Sequence, residues 1–209
     1  MTLYVPSHFR VEDRAELLEF MRANAFATLV SSGASGLHVS HIPLIADADA
    51  NGAVRLLGHV ARANPQWSAL EKADHVVAIF HGPHAYVSPS WYEHHPAVPT
   101  WNYAVVHAQG KPRLMDEAAL RDLLRRLSTT YEEGRPNPWR MDGLEPDYVA
   151  KMVGVIGGFT IEVERLEGKF KLSQNRPGQD AGRVKAELEA EGQTQLAALM
   201  AAHGALGKR

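Results

Sequence analysis

The sequence predicts an α+β fold in which an antiparallel β-barrel is the main part and helices flank it. Its middle carries short apolar runs of strand length, at 25–32, 37–45, 54–61 and 75–82. The turn-forming segments SGASG and DADANG lie between them, and only one short helical segment interrupts the series. Such spacing is typical of an antiparallel barrel or sandwich rather than of repeated strand–helix–strand units.

Further elements are expected on either side of these runs. Residues 11–24 have the apolar spacing of an amphipathic helix, and residues 101–110 alternate as a strand that closes the sheet. Residues 158–173 are expected to form two paired strands. Further helices are expected at 64–73, 116–132, 145–153 and in a tail from about 178.

Composition limits the classes of protein. The 209 residues, 45% of them hydrophobic, are enough for a single domain with a buried core, and we expect residues 1–209 to form one. The chain contains no cysteine, which excludes disulfides and thiolate chemistry. A formal net charge of −2 gives no overall attraction to nucleic acid or anionic lipid. No apolar run has membrane-spanning length and no secretory leader is evident, so a cytoplasmic location is expected.

The segment HVARANPQWSAL, 59–70, contains a candidate anion site. Asn64 followed by Pro65 predicts the start of a helix directly after a strand. The unpaired N–H groups of a first helical turn attract anions, and Arg62 could add a bidentate contact to a phosphate. The alternative is that Asn64 only caps the helix and Arg62 only faces water.

Two more segments concentrate polar and aromatic side chains. KLSQNRPGQD, 171–180, places many hydrogen-bond donors at the end of a predicted strand, which suits a polar ring edge, a second phosphate contact or a simple polar turn. SWYEHHPAVPTWNY, 90–103, holds two of the four tryptophans in a stretch broken by prolines. These aromatic side chains could flank a planar ring, or bury the segment against the barrel or another subunit.

Signatures of direct catalysis and of metal binding are missing. The pairs HVSH and HGPH have a three-residue separation, which in a strand directs the two histidines to opposite faces. No metal site is therefore predicted. The motifs GxSxG, GxGxxG and GxxxxGK[ST] are all absent, so catalytic residues stay unknown, and any chemistry would come largely from a bound cofactor.

Four blocks in this order resemble the PaiB-like family of FMN-binding negative transcriptional regulators. They are YVPSHF, GHVARANPQW, SPSWYEHHPAVPTWNYAVVHAQGKPR and KLSQNRP. The resemblance spans nearly the whole chain and implies an FMN-binding split barrel, α+β and mainly antiparallel, with flanking helices. It also implies a homodimer with FMN at the subunit interface.

The resemblance further implies which residues contact FMN. Arg62 is the first phosphate candidate, with His59 and Asn64 as neighbours. The remaining candidates are assigned to the ring, its edge or polar contacts from the partner subunit: Trp101, Asn102, Tyr103, Lys171, Gln174 and Arg176. His94, His95 and Tyr92 are possible proton donors near the ring, with nothing in the spacing to choose among them.

Three functions remain open from the sequence. The first is the regulatory protein that the family label implies, although no helix-turn-helix and no dense basic face is present. The second is an FMN-dependent oxidoreductase of unassigned substrate. The third is a barrel without flavin that serves as a binding module. This function stays open because the chain has fewer candidate phosphate-binding cations than the pyridoxamine-phosphate oxidases.

Overall fold

The structure is a computed structural model that describes residues 3–33 and 36–203. Six α-helices are present in this part of the chain: α1 (Arg14–Ala23), α2 (Pro65–Lys72), α3 (Glu117–Glu132), α4 (Pro146–Gly154), α5 (Gly178–Ala190) and α6 (Thr194–His203). The strands are β1 (Arg10–Val11), β2 (Phe26–Gly33), β3 (Gly36–Pro43), β4 (Ile45–Ala48), β5 (Val54–Ala61), β6 (Val76–Val87), β7 (Thr100–Leu114) and β8 (Ile156–Lys171). Short 3₁₀ turns lie at Ser7–Phe9, Pro89–Trp91 and Met141–Gly143.

The eight strands form one sheet. Its order is β3-β2-β6-β7-β8-β5-β4, and β1 pairs with β8. The registers are antiparallel, with Val30 opposite Val39 and Leu56 opposite Ile161 as examples. This α+β, mainly antiparallel architecture confirms the fold class predicted from the sequence.

Most of the predicted elements are found, but the pair of strands predicted over 158–173 is wrong. These residues belong to one continuous strand, β8, which ends at Lys171. The glycine in LEGK suggested a turn, yet Gly168 is buried and lies opposite Val11 of β1 in the ladder. A glycine inside a strand is compatible with close backbone approach, and strand pairing outweighed its turn preference.

Two other boundaries differ from the sequence prediction. The run 37–45 divides at Leu44, whose N–H donates to the carbonyl of Ala25, so that β3 and β4 are separate strands. The run 75–82 is longer than predicted, because β6 continues through Pro83 and His84 to Val87. The irregular segment before β7 is therefore 88–99, and Trp101 and Tyr103 lie in a strand.

The chain groups into two compact units. Of the described residues, unit 1 comprises 3–13, 81–107 and 167–203, and unit 2 comprises 14–33, 36–80 and 108–166. The expectation of a single domain stays a prediction. No helix in the described part of the chain has both the length and the apolar character needed to cross a membrane.

Each unit has its own buried side chains. In unit 2 the sheet buries large residues such as Leu56, Phe80 and Phe159, and Gly58 leaves room for Leu44, whose side chain a Cβ at position 58 would meet at 2.4 Å. A second cluster in unit 2 joins α3 and α4 through Leu120, Leu123, Leu127, Met141, Val149 and Val153. In unit 1 helices α5 and α6 pack together and bury Val184, Leu188 and Met200.

Candidate functional site

The turn between β5 and α2 has the geometry that the sequence predicts. Asn64 is the N-cap of α2: its side-chain oxygen accepts from the N–H of Gln66 at 2.9 Å, and Pro65 occupies the first turn. Its side-chain nitrogen donates to the hydroxyl of Ser40 at 3.0 Å. Both the oxygen and the nitrogen of the Asn64 side chain are thus hydrogen-bonded within the protein. The predicted contact of Asn64 with FMN stays a prediction.

Arg62 lies on the surface of the same turn. Its guanidinium stacks over the ring of Trp67, 5.2 Å from the ring centroid. The Trp67 ring in turn packs on Gly157 of β8, where a Cβ would lie 2.4 Å from the ring. No carboxylate among the described residues pairs with Arg62. The glycine and the tryptophan therefore position an arginine whose donors are available to an anion.

His59 lies in different surroundings from Arg62. It is half-buried on β5 and lines a cavity whose walls come mainly from α3 and α4. Burial lowers the pKa of its imidazole, and its Nδ1 is buried without a hydrogen-bond partner among the described residues. These surroundings suit a neutral imidazole. No result tests its predicted role beside the FMN phosphate.

In unit 1, the aromatic residues at the start of β7 line an open cavity of about 450 Å³. Its lining includes His81, His84, Trp101 and Tyr103. Trp101 is 52% exposed and contacts the ring of Tyr86 edge-on, with centroids 6.0 Å apart. An exposed tryptophan in a cavity of this size provides a flat surface for a planar ligand.

Asn102 and Gln174, in contrast, bond within the protein. Asn102 is 1% exposed, and its side-chain nitrogen donates to the hydroxyl of Ser173 at 2.9 Å. Gln174 accepts from the N–H of Leu172 at 2.7 Å and donates to the carbonyl of Phe170 at 2.6 Å. Both amides hold the end of β8, where Ser173 adopts a φ of 66°. Their predicted contacts with the flavin ring stay untested.

The end of β8 gathers three cations. Lys171 donates to the hydroxyl of Thr100 and, at 2.7 Å, to the carbonyl of Trp101. Arg176 stacks 4.3 Å from the centroid of the Tyr92 ring. Burial lowers the pKa of Lys171, and the positive charges of Lys169 and Arg176 lower it further. This mutual repulsion would be relieved by a bound anion.

Lys169 was missed in the sequence analysis. Its ammonium group lies 5.4 Å from the ring centroids of both Tyr103 and Tyr4, and it donates to the carbonyl of Tyr4 at 3.0 Å. No carboxylate among residues 3–33 and 36–203 forms an ion pair with Lys169, Lys171 or Arg176. The signal was available, because alternate residues of a strand share a face and Lys169 is two positions before Lys171.

The segment 88–99 is attached to α5 through a buried carboxylate. Asp180 accepts from the N–H of Glu93 at 2.8 Å and contacts Nδ1 of His94 at 3.3 Å. Burial raises the pKa of Asp180, but the hydrogen bonds from Glu93 and His94 outweigh it, so that the pKa is lowered overall. Tyr92 is buried beneath Arg176. Of the three possible proton donors, His94 and His95 are exposed. Among the described residues, the His95 side chain makes no hydrogen bond, ion pair or ring contact.

Comparison with known proteins identifies the family. Residues 3–165 match the family model described as "Putative FMN-binding domain". The chain is 36% identical over 189 residues to "Protease synthase and sporulation protein PAI 2" of Bacillus subtilis, with 90% of each chain covered. It is 33% identical to an uncharacterized protein of Emericella nidulans, over 76% of this chain and 79% of the relative.

Solved structures with low sequence identity share the fold. The flavocytochrome Anf3 of Azotobacter vinelandii matches with a TM-score of 0.63 and 16% identity, over 80% of this chain and 72% of that one. An FAD and heme binding protein of Mycobacterium smegmatis matches with a TM-score of 0.59 and 15% identity, over 78% and 73%. These likenesses support the split-barrel fold.

The family model covers most of the chain, and the Bacillus subtilis relative is similar over nearly its full length. Both agree with the resemblance seen in the sequence blocks, and the cofactor that the family description names is the expected one, FMN. The chain belongs to the PaiB-like family of FMN-binding split-barrel proteins.

Proposed function

We propose that the chain is an FMN-binding protein of the cytoplasm that acts as a negative regulator of transcription, and that it works as a homodimer with FMN at the subunit interface. The observation that carries flavin binding is the end of β8 in unit 1. Lys169, Lys171 and Arg176 lie there without carboxylate partners among the described residues. The same unit contains the exposed Trp101, which lines a cavity large enough for a small ligand.

The residues present fit FMN, which is a planar ring joined to a phosphate. A phosphate needs charged donors, and Arg62, Lys169, Lys171 and Arg176 supply them. A planar ring needs an exposed aromatic surface, and Trp101 supplies it. The assignments to Arg62 in unit 2 and to the cations of unit 1 are separate proposals, and the variants Arg62→Ala and Lys171→Ala test them one at a time.

The regulatory part of the proposal is supported by the name of a relative. The Bacillus subtilis protein is called a protease synthase and sporulation protein. Direct contact with DNA would need a positive surface, and the chain has a formal net charge of −2. The surface would therefore have to come from a local cluster of cations, repeated twice in a dimer.

Gel retardation tests the regulatory proposal. The FMN-loaded protein is incubated with DNA from upstream of its own gene and with a scrambled fragment of the same length, at low and at higher salt. Retardation of the upstream fragment that weakens with salt supports direct regulation. No retardation at low salt contradicts it.

Light scattering with and without FMN tests the proposed homodimer. A monomer in both conditions contradicts the dimer.

An FMN-dependent oxidoreductase is the second candidate. The observation that favours it is that His81 and His84 line the same cavity as Trp101, so that groups able to exchange protons lie beside the proposed ring surface. FMN would supply hydride or electron transfer when bound. The protein would position the ring and limit access of water.

Anaerobic reduction distinguishes the two candidates. Bleaching of the bound flavin by NADH or NADPH favours the oxidoreductase, and no bleaching by either counts against the common reductase version of it. The third function, a binding module without flavin, predicts no binding of FMN at all. Fluorescence titration of the purified protein with FMN tests that case.

A further inference from the structure

Unit 2 contains a second cavity, of about 390 Å³, between helices α3 and α4 and the strands that they cover. Its lining comes from both helices, from the segment between them and from strands β5 and β8. The lining includes His59, Ser128, Trp139, Tyr148, Met152 and Ile156. The volume falls within the range of about 300–1,000 Å³ that small-molecule pockets occupy.

The walls of this cavity are almost entirely apolar. None of the lining residues is Asp, Glu, Lys or Arg. Two arginines of α3 that are close in sequence to the lining residues form ion pairs with residues outside the lining: Arg126 with Asp47 at 2.8 Å and Arg125 with Asp142 at 3.4 Å. A charged ligand would therefore lose its hydration without gaining an opposite charge, so the cavity selects against ions.

The inner end of the cavity has a single imidazole. Side chains alternate along β5, so that Leu57 and His59 face α3 and α4 while Leu56 and Val60 face the core. Nδ1 of His59 is enclosed by protein atoms without a partner, whereas Nε2 is not among the buried atoms and makes no hydrogen bond to a described residue, so Nε2 is the nitrogen that a ligand can reach. Burial lowers the pKa of His59, so at neutral pH the imidazole is uncharged and Nε2 either donates or accepts one hydrogen bond, according to the tautomer.

We propose that this cavity binds a small, uncharged aromatic alcohol, with its ring among the side chains of α3 and α4 and its hydroxyl group hydrogen-bonded to His59. The apolar walls suit the ring, and the unpartnered imidazole supplies one polar contact to orient it. This is the usual division of labour in pockets that bind small molecules.

A small molecule suits the cavity better than a protein surface does. Trp139, Tyr148 and Met152 are 40–54% exposed and form the outer rim. The lining continues from this rim to His59 and Ile156 on the sheet. A partner protein lying on the rim would cover the aromatic side chains but would leave the imidazole without a partner.

The proposal is independent of the flavin. A calorimetric titration with 2-naphthol as the probe, run with and without added FMN, tests it. We expect saturable binding with a stoichiometry of one per chain under both conditions. We also expect naphthalene-2-sulfonate, which has a charge in place of the hydroxyl group, to bind at least about tenfold more weakly. Absence of saturable binding by 2-naphthol, or equal binding of the sulfonate, overturns the proposal.

Variants on α3 provide a matched pair. Ser128 lines the cavity and Thr130 is exposed outside it, and each hydroxyl group donates to the carbonyl four residues earlier. Ser128→Phe fills the cavity and should weaken 2-naphthol at least about tenfold, whereas Thr130→Phe should not. Met152→Trp, which fills the cavity from its rim, replaces Ser128→Phe if that variant does not fold. Undiminished binding in a folded cavity-filling variant overturns the proposal.

A variant of His59 tests the polar contact. His59→Leu keeps the volume and removes the hydrogen bond, so the preference for 2-naphthol over naphthalene-2-sulfonate should fall at least about fivefold. An unchanged preference in folded protein overturns the role of His59. Titrating the same variant with FMN separates this result from the flavin site, because a loss of FMN alone would bear on the proposed function and not on the cavity.

Discussion

The turn before α2 and the turn after β8 are built alike but differ in charge. In each, an amide side chain bonds to the backbone and an arginine stacks on an aromatic ring: Asn64 and Arg62 in the first, Gln174 and Arg176 in the second. Within residues 59–70, Arg62 is the only lysine or arginine. Arg176 is close enough to Lys171 and Lys169 to lower the pKa of Lys171.

This comparison separates two kinds of polar residue that look alike in the sequence. The amides are already bonded within the protein, so they stabilise the turns that present the cations. The cations have no carboxylate partners among the described residues, so they remain available to an anion. A lone arginine should also be less replaceable than one member of a cluster, so loss of Arg62 should weaken FMN binding more than loss of Lys171.

Arg62→Ala should have the largest effect on FMN affinity. If Arg62 holds the phosphate through a bidentate contact, its loss costs about 2–3 kcal/mol in binding. Fluorescence titration with FMN measures the change. Arg165→Ala, which removes an exposed arginine of β8, is the control. Unchanged affinity in Arg62→Ala would remove Arg62 as a phosphate ligand.

Asn102→Ala should affect stability. The variant leaves the buried hydroxyl of Ser173 without its amide partner, at a cost of about 2 kcal/mol in the free energy of unfolding. Urea denaturation measures it. Stability equal to that of the wild type, together with weakened FMN binding, would show that Asn102 serves the ligand and not the fold.

Lys171→Ala should weaken FMN by about 1.5 kcal/mol, or roughly tenfold, because one charged donor is lost while Lys169 and Arg176 remain. Lys111→Ala, an exposed lysine of β7, is the matched control, and a urea curve checks that the fold is intact. An effect larger than that of Arg62→Ala would reverse the order of the two turns as phosphate sites.

Asn64→Ala should cost about 1 kcal/mol of stability through loss of the N-cap of α2. Asn64→Asp keeps the oxygen that accepts from Gln66 and loses only the donation to Ser40, so it should retain most of the stability. Urea midpoints compare the two variants. Equal losses in both would show that the contact to Ser40, rather than the cap, is what matters.

The smallest expected effect is a dependence on pH. Because the pKa of Asp180 is lowered in the folded protein, its carboxylate stabilises the fold above its ordinary pKa, and this contribution is lost as the pH falls below about 4. The stability difference between wild type and Asp180→Asn should therefore shrink between about pH 5 and pH 3. A difference that does not change with pH would contradict the ionised state of Asp180.

The sequence predicted the fold well, because its signals are local. Apolar runs, turn residues and the Asn64–Pro65 pair each depend on neighbours in the chain, and they located most strands and the start of α2. The continuity of β8 through Gly168 was missed, because it depends on pairing with the distant Val11.

The same limit applies to the candidate site. Residue types indicated where donors gather, but not that Asn102 is buried against Ser173 or that His59 faces α3 and α4. Those facts depend on packing between segments far apart in the chain. Lys169 could have been predicted, since its spacing from Lys171 places both on one face of a strand.

The most direct test of the account is a fluorescence titration of the purified protein with FMN and with riboflavin, which lacks the phosphate. The account predicts saturable binding of FMN and binding of riboflavin at least about tenfold weaker, because the unpaired cations hold the phosphate. Equal binding of the two would contradict the role of the cations. Binding of neither would contradict flavin binding by this chain.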